Sequence, residues 1–228
     1  MEGRLFTFLG AIGGHGLEWI ILSHLALTVI IVFLVARAAT RKLALVPTGT
    51  QNIMEAYLKG VVSIGTDSMG EKNARTYMPL IATLGLIIFT ANMMGIFPGF
   101  ESVTANINFT LSLAIIVFVY YNYVGVKMNG FVKYFGHMMG PVPALAPLMF
   151  PIEIISHISR IISLSFRLFG GIRGDEMFVM VLLMIVPWIL PLPGFFLLFA
   201  FGILQAFIFM ILTYVYIAGS VMMAEEDH

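Results

Sequence analysis

Residues 150–188 read FPIEIISHISRIISLSFRLFGGIRGDEMFVMVLLMIVPW. Most of this stretch is apolar enough for a bilayer, yet it carries Glu153, His157, Arg160, Arg167, Arg173, Asp175 and Glu176. A charge at membrane depth costs about 2.5–3.5 kcal/mol on insertion scales, so such groups face protein or a water-filled cavity. Arg167 is the extreme member. Arginine keeps its proton in proteins, and residues 161–169 hold no acid to pair with it. A permanent cation here requires an anion from elsewhere.

The same stretch is too long for one upright span. Between Pro147 and Val186 the sequence has a single proline, Pro151, near the start. A helix over 147–186 would reach about 60 Å at roughly 1.5 Å per residue, against about 30 Å of hydrocarbon. It must tilt, kink or lie partly along the surface; Gly170, Gly171 and Gly174 are candidate bends. Pro187, Pro191, Pro193 and Gly194 then break the chain, and the last apolar run, 195–223, is also overlong. Two overlong helices joined by a proline turn predict a tilted hairpin.

Helical geometry sorts the charges. At about 100° per residue, Glu153, His157, Arg160, Ser163 and Arg167 share one stripe. Asp175 lies within about 80° of Arg167, and Glu176 points to the opposite side. Along the axis Glu153 sits roughly 21 Å to one side of Arg167 and Glu176 roughly 13 Å to the other. Protons hop through carboxylates, imidazole and water, and here they would meet a fixed cation midway. Two half-channels separated by an electrostatic plug fit this pattern; a continuous pore does not. Internal ion pairs, Glu153 with Arg160 or Asp175 with Arg173, are the plainer alternative for those residues. The last helix adds one polar residue at depth, Gln205, whose amide needs a partner: Arg167, the group Arg167 serves, or backbone.

Outward from this hairpin, the first span is 19–36 and ends in Arg37, Arg41 and Lys42; His24 within it is expected to bond to a neighbouring helix. Residues 47–73 mix apolar and polar positions at helical spacing, as in an amphipathic helix on the membrane surface. Spans follow at 77–97, interrupted by Asn92, and at 105–126. Asn106, Asn108, Thr110 and Ser112 open the latter, either as ordinary helix caps or as the polar wall of an aqueous cavity. Residues 127–147 form a polar loop, and 224–228 an acidic tail. The segment 1–18 is too short and glycine-broken for a secretory signal. Lysine and arginine cluster on one side of this topology, which puts the N-terminus outside and the C-terminus in the cytoplasm.

The expected fold is therefore all-α: a single polytopic membrane bundle of about five membrane helices and a surface amphipathic helix, the last two long and tilted as a hairpin. Sixty per cent of the 228 residues are hydrophobic and 11% charged, with mean hydropathy +0.99, which no soluble domain shows. Zero net charge gives no sign of nucleic acid, and the lack of cysteine removes disulfides and thiolate chemistry. A secondary transporter would show broken helices and inverted repeats; neither is visible. The five histidines are scattered, so no metal set suggests an enzyme, and no GxSxG elbow is plausible. A purely structural subunit leaves Arg167 unexplained.

The segments SLSFRLFG, with Arg167, and LQAFIFMILTYVY, with Gln205, resemble the most characteristic parts of subunit a of the bacterial rotary F-type ATP synthase. TANINFTLSLA and the acidic C-terminus are similar to that family too, over nearly the whole chain. The resemblance implies a proton-translocating stator in the bacterial inner membrane, not an enzyme by itself and without cofactors. Its partners would be the c-subunit ring, the b-subunit peripheral stalk and other synthase subunits. Arg167 matches the arginine that meets the ring carboxylate and blocks a leak, and Gln205 the glutamine facing it. Glu176 matches the acid of the outer half-channel, with Asn106 and Asn108 at polar positions there. Glu153, Arg160 and Ser163 match the cytoplasmic side, where His157 shares their stripe. The chain departs at Gly171, where many members have asparagine, and at Leu198, where some have histidine. Asp175, beside Glu176, is a candidate for the role of that histidine.

Overall fold

The computed structural model describes residues 17–41, 43–97, 99–130, 134, 146–185 and 191–225. These form helices α1 (Leu17–Thr40), α2 (Thr50–Met94), α3 (Ile107–Asn129), α4 (Ala146–Ile185) and α5 (Pro191–Glu225), with a 3-10 turn at Val103–Ala105 before α3. No strand occurs among the described residues. The segments 1–16, 135–145 and 226–228 lie outside them, and so does most of the expected loop and tail. Helices α1, α2, α3 and α5 are long and apolar enough to cross a membrane. In α4 the charged and polar residues interrupt an otherwise apolar surface.

The chain is an all-helical membrane bundle. Its core is drawn from the middle of each later helix: Val61, Ile81 and Ile88 of α2, Val117 and Tyr121 of α3, Leu164 and Leu168 of α4, Phe209, Tyr214 and Ile217 of α5. α5 is the hub, packing on α2, α3 and α4. Large apolar side chains such as Leu22, Ile30, Phe33, Phe166, Phe196 and Phe207 stay exposed, as expected of a surface solvated by lipid tails.

The expected break between Asn73 and Tyr77 falls instead at Gly70, whose φ of 76° and ψ of 159° divide α2 into two arms. Only glycine adopts that conformation readily. The arms run back along one another: the Tyr57 hydroxyl donates to the Ala82 carbonyl at 2.7 Å, and a Cβ on Gly65 would overlap both Ala74 and the Tyr214 ring. These contacts pair positions nearly equidistant from Gly70. The amphipathic segment is thus packed onto the second span and α5 rather than standing apart from the bundle.

α4 runs for 40 residues in one helix with Pro151 inside it. None of Gly170, Gly171 and Gly174 has positive φ, and the helix continues through all three. α5 begins at Pro191, earlier than the expected 195, because proline at the first helical positions gives up an N–H that has no partner anyway. The two helices pair as a hairpin. A Cβ at Gly194 would lie 3.0 Å from Leu182, and one at Gly171 would lie 3.8 Å from Gln205 Oε1.

Candidate functional site

Three parts of α4 hold its charged residues, and each meets a different set of neighbours. Toward the α2–α3 connection, Arg173 Nη1 lies 3.8 Å from Glu101 Oε1 and 3.5 Å from Glu176 Oε2. The alternative pairing of Arg173 with Asp175 is not formed, and Asp175 makes no ion pair among the described residues. Glu176 is the most enclosed of the three, its side chain 18% exposed. A chain of hydrogen bonds fixes the connection that brings Glu101 here. The single Ser102 hydroxyl proton lies between the Ala91 carbonyl at 3.0 Å and the Thr104 hydroxyl at 2.6 Å. Thr104 donates to Asn92 Oδ1 at 2.6 Å, and Asn92 Nδ2 donates to the Gly202 carbonyl at 3.0 Å. Asn92, read as an interruption of the second span, is therefore the buried bolt between α2 and α5. Gly95 permits the close approach: a Cβ there would sit 2.7 Å from Ser102 and 3.4 Å from Glu176 Oε1.

Beside this ion cluster lies a cavity of about 260 Å³, walled by His24, Glu101, Asn106, Phe169 and Arg173 among others. Asn106 serves both readings left open by the sequence. Its side chain caps α3 by accepting from the Asn108 amide at 2.9 Å, and it also lines the cavity. Asn108 is exposed on the first turn of α3 and is not brought to the cavity. Thr110 is buried and bonds to Ser165 at 3.1 Å. His24 departs from its expected role: its Nδ1 bonds to Ile20 O of its own helix at 2.7 Å, not to a neighbouring helix.

Toward the start of α4 the environment is aromatic. Glu153 Oε1 lies 3.6 Å from His157 Nε2, and His157 Nδ1 lies 2.6 Å from the Tyr121 hydroxyl. The His157 and Tyr121 rings stack at 5.7 Å with 12° between their planes. Arg160 sits over the Tyr216 ring at 5.7 Å, so the Glu153–Arg160 pair considered from sequence gives way to Glu153–His157. With the Tyr121 hydroxyl donating to Nδ1, the Nε2 proton of a neutral ring faces Glu153. A proton reaching one nitrogen can leave from the other. Tyr121 was invisible in the sequence because nothing distinguishes it from its neighbours in YYNY.

Between the clusters, Leu164 and Leu168 are buried at 2% and 0%, which turns Arg167 outward. Arg167 is exposed and makes no hydrogen bond or ion pair among the described residues. Around it Ser163, Phe166, Gly170, Gly171 and Gly174 are exposed at three- and four-residue intervals. Gln205 is half-buried, lies against Gly171 and has no hydrogen bond among the described residues. It forms no hydrogen bond to Arg167 or to backbone among the described residues, and a Cβ at Gly171 would meet its amide at ordinary contact distance, 3.8 Å.

A helical membrane bundle with a bare cation on its outer face, flanked along one helix by two clusters of proton-exchanging groups, has the build of an ion-translocating subunit. The family described as ATP synthase A chain matches residues 20–218. The chain is 76% identical over all of both sequences to ATP synthase subunit a of Aliarcobacter butzleri (strain RM4018). It is 60% identical, again over all of both, to that of a Nitratiruptor species. It is 58% identical to that of Campylobacter curvus (strain 525.92), over 94% of this chain and 95% of the relative. The chain belongs to the ATP synthase A chain family, the non-catalytic, proton-translocating membrane subunit of the F0 sector, which works with other ATP synthase subunits.

Proposed function

We propose that this chain is the stator beside a ring of c subunits, and that Arg167 is the partner of the ring carboxylate. The observation that carries this is the exposed guanidinium between two polar clusters, without a partner among the described residues. An arginine cannot relieve its own charge by losing a proton, and an anion from another chain would answer it. Ser163 and the glycines beside it keep that face low, and Gln205 offers an amide next to it.

Protons enter by an outer half-channel through the cavity at Asn106, Glu101 and Arg173 to Glu176, with Asp175 and Asn108 beside this route. They neutralise a ring carboxylate, the ring turns, and they leave past Ser163, Arg160, His157 and Glu153. Arg167 prevents direct passage because a proton approaching it meets a fixed like charge. The N-terminus faces the periplasm and the C-terminus the cytoplasm of a bacterial inner membrane, with the 50–69 arm at the cytoplasmic boundary. The b-subunit peripheral stalk holds the chain against rotation. Asp175 takes part of the role that a histidine at position 198 has in some relatives.

Because the chain has no cysteine, a single one reports cleanly. Phe207→Cys, on the exposed side of α5 near the Arg167 level, is expected to form a disulfide with a cysteine placed near the ring carboxylate. Met78→Cys, half-buried against the core on α2, is expected to form none. Equal cross-linking at both, or none at Phe207→Cys, would contradict the placement of the ring.

A further inference from the structure

His24 is buried to 1% exposure in a helix that otherwise contacts mainly α2. Its two ring nitrogens are unequal. Nδ1 is 2.7 Å from the Ile20 carbonyl; a carbonyl only accepts, so Nδ1 carries the proton. In the neutral ring Nε2 is then a bare lone pair, and it is the one buried side-chain nitrogen or oxygen among the described residues without a hydrogen-bond partner. The ring stands edge-on to Phe100 at 6.0 Å and forms one wall of the 260 Å³ cavity. Buried polar atoms are almost always satisfied, and a cavity of this size holds several waters. The groups that face the cavity from other elements are Glu101 on the α2–α3 connection, Asn106 at the cap of α3 and Arg173 on α4.

We propose that His24 is a proton-carrying wall of the outer inlet. Nε2 accepts a proton from a hydronium in the cavity, which becomes water; the ring becomes an imidazolium, and the same proton passes on to a water on the Glu176 side, which leaves the ring neutral again. The assignment rests on the outer half-channel described above. It adds a station contributed by the first helix, far in sequence from the hairpin that holds the other groups.

The test uses the whole complex in vesicles and ATP-driven proton pumping. His24→Ala is expected to slow pumping roughly tenfold, less than the roughly hundredfold or more that a placed acid–base group supplies, because water can bypass it. Imidazole added to the outer-side medium should restore most of the rate by filling the space left. His24→Gln retains a hydrogen-bonding side chain but cannot carry a proton; it should assemble normally, pump as slowly as His24→Ala, and gain nothing from imidazole. Near wild-type pumping in either variant overturns the proposal. Slow pumping in His24→Ala that imidazole does not restore, including any assembly defect common to both variants, assigns His24 a packing role and also overturns it. Glu176→Gln, measured in parallel, separates the two readings. If it pumps normally, the outer half-channel itself falls. If it is inactive while His24→Ala pumps normally, only the role of His24 falls.

Discussion

Arg167 and Arg173 lie on the same helix, six residues and about 9 Å apart, and their surroundings are opposite. Arg173 is held between Glu101 and Glu176, so its charge is answered within the chain. Arg167 stands on the exposed face with no partner among the described residues. Identical side chains thus have different surroundings: one is paired within the chain, and the other is the one we propose meets an anion brought by another chain. What separates them is the loop 99–105. Its buried chain of hydrogen bonds from Ala91 to Gly202 delivers Glu101 to Arg173 and nothing comparable reaches Arg167.

Substitutions can break or sharpen that contrast. The largest effect outside Arg167 is expected at Glu176. Glu176→Gln removes the most enclosed carboxylate of the inlet, and ATP-driven pumping should fall to background; retained pumping would place the inlet elsewhere. Arg173→Leu should slow pumping about tenfold, roughly 1.4 kcal/mol of barrier, while the membrane stays proton-tight. A leak in that variant equal to that of an Arg167 variant would erase the distinction between the two arginines. Gln205→Ala should reduce pumping about fivefold, the equivalent of one hydrogen bond of about 1 kcal/mol to the occupied ring site. Asp175→Asn should slow pumping less than Glu176→Gln does; no change at all would end the idea that the adjacent acids share a role. The smallest functional effect is expected for Tyr121→Phe. The buried Nδ1 of His157 would lose its donor and the complex about 1–3 kcal/mol of stability, read as a lower denaturation temperature with pumping little changed.

Much of this was legible in the sequence because it depends on residues close together. The 40-residue α4 follows from the lack of proline between 152 and 185. The isolation of Arg167 follows from the lack of nearby acid and from the fact that arginine stays charged. What could not be read depends on contacts across the chain. Glu101 meets Arg173 from 72 residues away, and Tyr121 meets His157 from 36 away. Local ion pairs do form, but with other partners than Glu153–Arg160 and Asp175–Arg173, and the loop and α3 add Glu101 and Tyr121 to them. His24 looked like an ordinary core histidine because neither its bond to Ile20 nor the cavity at its edge leaves a mark in the sequence. Gly70 was one glycine among 22; only its backbone angles single it out as the fold-back of α2.

The most direct test of the account is the paired measurement on Arg167→Ala in the reconstituted complex: ATP-driven proton pumping and passive proton leak in the same vesicles. The account predicts that pumping is lost and the leak rises, with subunit assembly normal, because one guanidinium is both the partner of the ring carboxylate and the barrier between half-channels. Near wild-type pumping with an unchanged leak would contradict it.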